Sequence, residues 1–297
     1  MRLITYRKKD DSSAERLGLL DAKGQRIQPL TQSGIMYTDM NELIAKATGE
    51  EMKLLLQEAQ DESLYTETMD NVILEAPIPV PMQDVICLGV NYLEHAREAA
   101  RFKKESFDIQ SSYPVYFSKR VNEAVGDQQP IPAYEEIVDS LDYEVELAVI
   151  IGKDAKNVKA ENALDYIFGY TILNDMSARN LQTRHTQWYF GKSLDRFTPM
   201  GPAIVTKEEI AYPPELEIKS LVNGELRQSS NTNLLIFDIG YVISELSQGM
   251  TLKAGTIIST GTPKGVGMGY EPPKFLHKGD RIECRIEGLG SLSNWIE

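Results

Sequence analysis

The sequence predicts an α+β protein that is mainly β: a small α+β unit followed by a larger, strand-rich domain. Three observations predict it. Short apolar runs recur from about Val85 onward, each closed by Gly or Pro, as in DVICLGV, PVYFSKR and TIISTGT, and strands joined by tight turns read this way. Helical patterning is confined to a few segments. Alternating prolines, Pro77, Pro79 and Pro81, form a stiff, extended connector between the two parts. The expected divisions are 1–76, 77–84 and 85–297.

In the first part, RLITY, RLGLL and RIQPL are strand candidates, and LLDAKGQRI supplies a hairpin turn through Asp21 and Gly24. TDMNELIAKATG reads as a helix capped at Thr38 or Asp39 and stopped at Gly49. EEMKLLLQEAQ is a second helix with an apolar stripe. In the larger part, YEVELAVII, IFGYTILND, PAIVT, LEIKSLVNG and DRIECRIEGLG extend the series of strands. DIGYVISELSQG is a helix, with Asp238 as its cap and Gly249 as its stop.

The chain has 297 residues and a formal net charge of -13. That balance speaks against nucleic acid or an anionic membrane surface as partner, because both reward a basic patch. Cys87 and Cys284 have no CxxC spacing, so a disulfide framework is excluded and a reducing compartment fits. MRLITYRKKDDSS has no apolar signal core, and runs such as LAVII are too short to span a bilayer. The expectation is a soluble cytoplasmic protein. His185 and His277 have no partners at ligand spacing and read as structural or surface residues.

LDYEVELAVIIGK, Leu141 to Lys153, carries the chemistry. Side chains alternate on a strand, so Glu144 and Glu146 share a face with Ala148 and Ile150. Both faces turn apolar downstream, which predicts burial on both sides. Two ionised carboxylates placed there repel and lose hydration. A divalent cation, a pair of Arg or Lys partners, or a raised pKa on one glutamate would compensate. An edge strand with a solvated polar face is the plain alternative. A second apolar strand, in YTILNDMSARN, ends in a third acid, Asp175. Three carboxylates make an all-oxygen set that suits Mg²⁺, Mn²⁺ or Ca²⁺ rather than Zn²⁺. An octahedral ion held this way keeps about three positions open, which implies Lewis-acid chemistry on a chelating substrate.

NYLEHAREA places His95 and Glu98 at i and i+3, on one face of a helix. A carboxylate that orients an imidazole makes a general base for water. A surface helix with an incidental histidine is the plain alternative.

Taken together and in this order, DYEVELAVIIGK, GYTILNDMSARNLQ, GKSLDRFTPMGP and ISTGTPKGVGMG resemble the fumarylacetoacetate hydrolase superfamily. The likeness runs from about Val85 to the C-terminus. It implies a β-roll catalytic domain, preceded in many members by a small N-terminal domain. It implies a Mg²⁺ or Mn²⁺ site made by Glu144, Glu146 and Asp175, a homodimer, and 2-oxo acid substrates that chelate the metal. Members that cleave C–C bonds place a His–Glu pair on a helix in the region of His95 and Glu98, and that helix belongs to a lid. The polar ARFKKESFDIQSS that follows fits such a lid. Lys192, in FGKSLD, matches the family's lysine, which implies stabilisation of an enolate or of the substrate carboxylate. Arg179 and Gln182 resemble positions that bind the polar end of the oxo acid. Thr262 sits in STGTPKGVG, a turn that either presents NH groups and a hydroxyl to an anion or is only a tight turn. The GxxxxGK[ST] spacing is absent. Tyr116, Ser118 and Lys119 are further candidates for the pocket wall.

The expected function is metal-dependent hydrolysis of a C–C bond in an acylpyruvate-like 2,4-dioxo acid. His95, held by Glu98, would activate water, and the metal and Lys192 would stabilise the departing metal-bound enolate. Oxaloacetate decarboxylation is the alternative, as is an isomerase or hydratase of the same superfamily. All share the enolate, and a scaffold does not separate them. A non-enzymatic regulatory protein is the remaining reading. The presence of three carboxylates, the His–Glu pair and Lys192 speaks against it.

Overall fold

A computed structural model describes residues 1–103 and 113–297. Most of the polar stretch read as a lid, 104–112, lies outside the described residues.

The chain begins with β1 (Arg2–Lys8), β2 (Asp11–Leu20), β3 (Arg26–Pro29), α1 (Met40–Lys46), α2 (Gly49–Glu58), β4 (Glu67–Thr68) and β5 (Val72–Leu74). The β2–β3 turn closes through Gly24, whose N–H donates to Asp21 O at 3.0 Å. Asp39 caps α1 by accepting from Glu42 N–H. Gly49 does not stop α1, as the sequence predicts it should. The helix ends at Lys46, and Gly49 is the first residue of α2. A capping box explains this: Thr48 and Glu51 satisfy each other's backbone N–H and start a new helix there.

The larger part contains β6 (Val85–Gly89), α3 (Leu93–Lys103), β7 (Val115–Lys119), β8 (Pro130–Ile131), β9 (Leu141–Asp142), β10 (Val145–Ile151), β11 (Ile167–Asn174), β12 (Ser177–Ala178), α4 (Arg179–Arg184), α5 (Tyr189–Lys192), β13 (Met200–Thr206), β14 (Glu217–Val222), β15 (Glu225–Asn231), α6 (Ile239–Gly249), β16 (Ile257–Ser259), β17 (Arg281–Ile286) and β18 (Gly290–Ile296). Asp238 caps α6 by accepting from Tyr241 N–H, and Gly249 is its last residue.

An 11-stranded sheet runs β4-β3-β2-β1-β13-β11-β10-β16-β6-β7, with β5 beside β1. Strands from the start of the chain and from the larger part thus share one ladder, joined where Leu3 faces Ile204. A second sheet, β15-β14-β17-β18-β8, supplies another layer. Val145, Leu147, Val149 and Ile151 of β10 share a core with Ile218, Ile282 and Leu292 of that sheet and with Ile243 of α6. Ala148 and Ile150 face the other way and join Leu3, Leu43 and Leu55. The alternation in VELAVII is therefore the imprint of two cores, one on each face of a central strand. The architecture is α+β and mainly β, as expected. Among the described residues, no helix is long and apolar enough to cross a membrane.

Candidate active site and metal centre

Glu144 immediately precedes β10 and Asp175 immediately follows β11. The Val145–Asn174 register sets the two acids side by side, and Asp175 N–H donates to Glu144 O at 2.9 Å. Glu146 lies two residues further along β10. Its Oε2 accepts from Ser259 Oγ at 2.5 Å and from Gly261 N–H at 2.8 Å. One oxygen from each of Glu144, Glu146 and Asp175 lies within 4.8 Å of the others, and all three residues are buried.

Three cations surround these acids. Lys192, the last residue of α5, reaches Glu144 Oε2 at 2.7 Å and Asp175 Oδ2 at 2.6 Å. Lys119, the last residue of β7, reaches Asp175 Oδ1 at 2.7 Å and also donates to the carbonyls of Met176 and Lys192. Arg179 opens α4. It forms an ion pair with Glu144 Oε1 at 2.7 Å and donates hydrogen bonds to Asp142 Oδ2 and to Gln182 Oε1, both at 2.9 Å.

Two of the compensations left open by the sequence are thus present together. Burial pushes Glu144 up, but Lys192 and Arg179 outweigh it and bring the carboxyl down to about 2. Burial, reinforced by Asp175 and Glu144, pushes Glu146 well above the usual carboxylate range. Burial works against the charge of Lys192, yet Asp175 and Glu144 raise it overall. For Lys119 burial wins, and the ammonium is held below the usual lysine value despite Asp175. Among the described residues Glu146 has no Lys or Arg ion pair, although it lines the cavity beside the cluster. A buried carboxylate without a cation partner, in an all-oxygen set, fits a hard divalent ion.

The cavity has a volume of about 470 Å³. Its lining includes Glu144, Glu146, Arg179, Gln182, Lys192, Thr262 and His95, with Leu88, Phe117 and Trp188 as apolar wall. Trp188 packs edge-on against Phe117, with ring centroids 5.3 Å apart. A Cβ on Gly89 would fall 2.3 Å from the Trp188 ring, so the glycine makes room for the indole.

His95 is 4% exposed, and its Nδ1 lies 3.0 Å from Glu98 Oε2. Burial and this partner exclude the incidental surface histidine. With Glu98 ionised, the network assigns the proton to Nδ1 and leaves the lone pair on Nε2. Glu98 also accepts from Gly265 N–H at 3.1 Å.

Thr262 lines the cavity, but its hydroxyl is engaged: it donates to Val145 O at 2.9 Å and accepts from Gln228 Nε2 at 2.7 Å. The acceptor met by the Gly-rich turn is the protein's own Glu146 carboxyl, through Gly261 N–H. Tyr116 and Ser118 make their hydrogen bonds to Glu245 and Asp84 and are absent from the cavity lining, which takes Phe117 from between them. His185 does line the cavity, in edge contact with Phe190, whereas His277 is exposed.

Asp142 joins the site without a motif of its own. It is fully buried and accepts from the N–H groups of Tyr143, Gly267 and Met268 and from Arg179. Its signal is the same period of two that joins Glu144 to Glu146, carried one step back. Lys119, the third candidate for the pocket wall, is also absent from the cavity lining; it lies behind the cluster on Asp175, and its only signal is a lysine closing an apolar strand in VYFSK.

Residues 84–297 match the family described as fumarylacetoacetate (FAA) hydrolase, C-terminal. Oxaloacetate tautomerase YisK of Bacillus subtilis (strain 168) is 48% identical over 232 residues, 78% of this chain and 75% of that protein. The mitochondrial oxaloacetate tautomerase fahd2 of Xenopus laevis is 38% identical across 99% of this chain and 89% of its own. Among solved structures, a fumarylacetoacetate hydrolase from psychrophilic Exiguobacterium antarcticum superposes with a TM-score of 0.85 at 37% identity, covering 100% of this chain and 99% of that one. Maleylpyruvate hydrolase from Sphingobium sp. SYK-6, in complex with manganese(II) and pyruvate, gives 0.77 at 31% identity, covering 100% and 98%.

Proposed function

Since the chain belongs to the fumarylacetoacetate hydrolase family, we propose that it is a divalent-metal-dependent enzyme of 2-oxo acids whose reaction is the keto–enol tautomerisation of oxaloacetate. The observation that carries this reading is His95, backed by Glu98, in one cavity with Lys192, Glu144 and Glu146. Two similar proteins named oxaloacetate tautomerases support the substrate. The manganese and pyruvate of the maleylpyruvate hydrolase structure support the metal and the 2-oxo acid class.

Tautomerisation moves one proton between C3 and the 2-oxygen and leaves the carbon skeleton intact. His95 Nε2 takes the proton from C3 of the keto form, and the imidazolium, stabilised by Glu98, returns it to the enol oxygen. Lys192, kept protonated by Asp175 and Glu144, donates a hydrogen bond to the oxygen where negative charge develops. Arg179 and Gln182 hold the polar end of the substrate. Thr262 acts on the wall, fixing the start of β10 through Val145. Glu144, Glu146 and Asp175 would hold Mg²⁺ or Mn²⁺, which when bound supplies Lewis-acid polarisation of the 2-oxo group.

Acylpyruvate hydrolysis, the first expectation from sequence, is the second reading. The same pair favours it, because an imidazole oriented by a carboxylate also activates water. Oxaloacetate decarboxylation needs no attacking water and leaves the pair to position substrate. A homodimer is proposed on family grounds, and a monomer mass by sedimentation would exclude it.

The deciding experiment supplies Mg²⁺ or Mn²⁺ and follows oxaloacetate enol absorbance, CO₂ release and acetylpyruvate cleavage, with chelator and metal-only controls. Metal-dependent enol decay without CO₂ is the expected result. Faster acetylpyruvate cleavage would make the protein a hydrolase, and CO₂ release a decarboxylase. No turnover of any 2-oxo acid would favour a binding or regulatory role.

A further inference from the structure

Glu98 rests on a loop that has no room for side chains where it is touched. A Cβ on Gly269 would fall 1.8 Å from Glu98 Oε1, and Gly265 N–H donates to the same carboxylate at 3.1 Å. Around this contact Ala99 of α3 packs with Val266 and Met268 in a small buried cluster. Lys264 reaches Glu94 of α3 at 3.2 Å. The seat of the His95–Glu98 pair is therefore the 264–269 segment.

That segment is held from the other side by one buried carboxylate. Asp142 Oδ1 accepts from Gly267 N–H at 2.6 Å, and Oδ2 accepts from Met268 N–H at 3.1 Å. A Cβ on Gly267 would lie 2.7 Å from Asp142 Oδ1, so this approach also needs a glycine. The remaining bonds of Asp142 go to Tyr143 N–H at 3.0 Å and Arg179 Nε at 2.9 Å. Arg179 in turn reaches Glu144. A carboxylate accepts from four donors here with no donor of its own, a pattern no neutral side chain of the same shape can reproduce. Asparagine would turn an N–H₂ toward an N–H.

We propose that Asp142 is a positioning residue for the His95–Glu98 pair: it fixes the loop on which Glu98 rests and ties that seat, through Arg179, to Glu144. The inference rests on the proton-transfer role proposed for His95. It also accounts for the two glycines Gly267 and Gly269 in KGVGMG: one admits Asp142 and the other admits Glu98.

The test compares Asp142→Asn, Gly269→Ala and His95→Ala by oxaloacetate turnover, by Mn²⁺ calorimetry, and by ¹⁵N NMR of the imidazoles in chelator-treated protein. With 3 histidines in the chain, the His95 signal is assignable by its loss in His95→Ala. Asp142→Asn and Gly269→Ala should each lower kcat on the order of 10²-fold, the cost of a small misplacement of a reacting group. KM and Mn²⁺ affinity should stay within a few-fold, and the Nδ1–H signature of His95 should be lost. Gly269→Ala leaves every bond of Asp142 in place, so it carries the test if Asp142→Asn fails to fold. Parental kcat and an unchanged imidazole spectrum in both variants, with His95→Ala inactive, would overturn the positioning role alone. Loss of Mn²⁺ affinity in step with kcat in Asp142→Asn would also overturn it, by placing Asp142 in the metal centre's charge balance. Full activity in His95→Ala would instead overturn the reading beneath it.

Discussion

Lys119 Nζ lies 2.7 Å from Asp175 Oδ1, and neither side chain is exposed at all. Removing Lys119 takes away one of the two cations that answer the buried Asp175 and leaves Lys192 shared between Asp175 and Glu144. Lys119→Met should destabilise the chelator-treated protein by about 3–5 kcal/mol. Added Mn²⁺ should recover part of the loss, because a bound cation takes up the charge left on Asp175. Urea unfolding with and without Mn²⁺ measures both effects. Equal stability of parent and variant would show that the pair contributes nothing.

Glu146 makes the opposite prediction. A carboxyl held above its ordinary value makes the folded state bind more protons than the unfolded one. Stability of the metal-free protein therefore falls as pH rises from the ordinary value, 4.5, toward the raised one. Glu146→Gln removes that loss. It should melt higher than the parent at pH 7 but not at pH 4, by about 2–4 °C for each kcal/mol recovered. Mn²⁺ should no longer raise its Tm. A parent and variant with parallel Tm-against-pH curves would contradict the assignment.

Glu144→Ala or Asp175→Ala should lower Mn²⁺ affinity by more than about 100-fold in calorimetry while circular dichroism stays parental. Each removes one of three clustered oxygens. Retained affinity in either variant would refute the metal centre.

His95→Ala should slow oxaloacetate tautomerisation by about 10²–10⁴-fold with Mn²⁺ affinity unchanged. Glu98→Gln should cost less, since an amide still accepts from Nδ1–H, and should weaken turnover most where the imidazolium has to form. Rates against pH for the two variants separate these effects. A parental rate in His95→Ala would end its role as base.

Much of this site can be read from the chain because strand periodicity is local. Glu144, Glu146, Ala148 and Ile150 take their side from position alone, and so do the two cores that flank β10. Asp142 obeys the same period, but only the folded chain shows that its partners are Gly267 and Met268. Lys119 meets Asp175 across a gap of dozens of residues, and nothing in VYFSK specifies an acid. The strand β15, ELRQSSN, has no mark in the sequence, because it carries little apolar signal and owes its place to pairing with β14. Gly49 is a false stop for a different reason. Glycine ends helices often enough to be read as a stop, and the capping box beside it fixed the outcome.

The ladder between β1 and β13 has a practical meaning for anyone who would shorten the chain. β13 separates β1 from β11, the strand that ends beside Asp175. A fragment beginning at the proline connector would bare the backbone of β13 as a free edge, with Ile204 and Val205 stripped of the strand that covers them. Such an edge is a template for pairing with another copy. The trimmed protein would be limited by self-association before any activity could be measured, so the first residues work as the hem of the sheet that holds the three clustered acids.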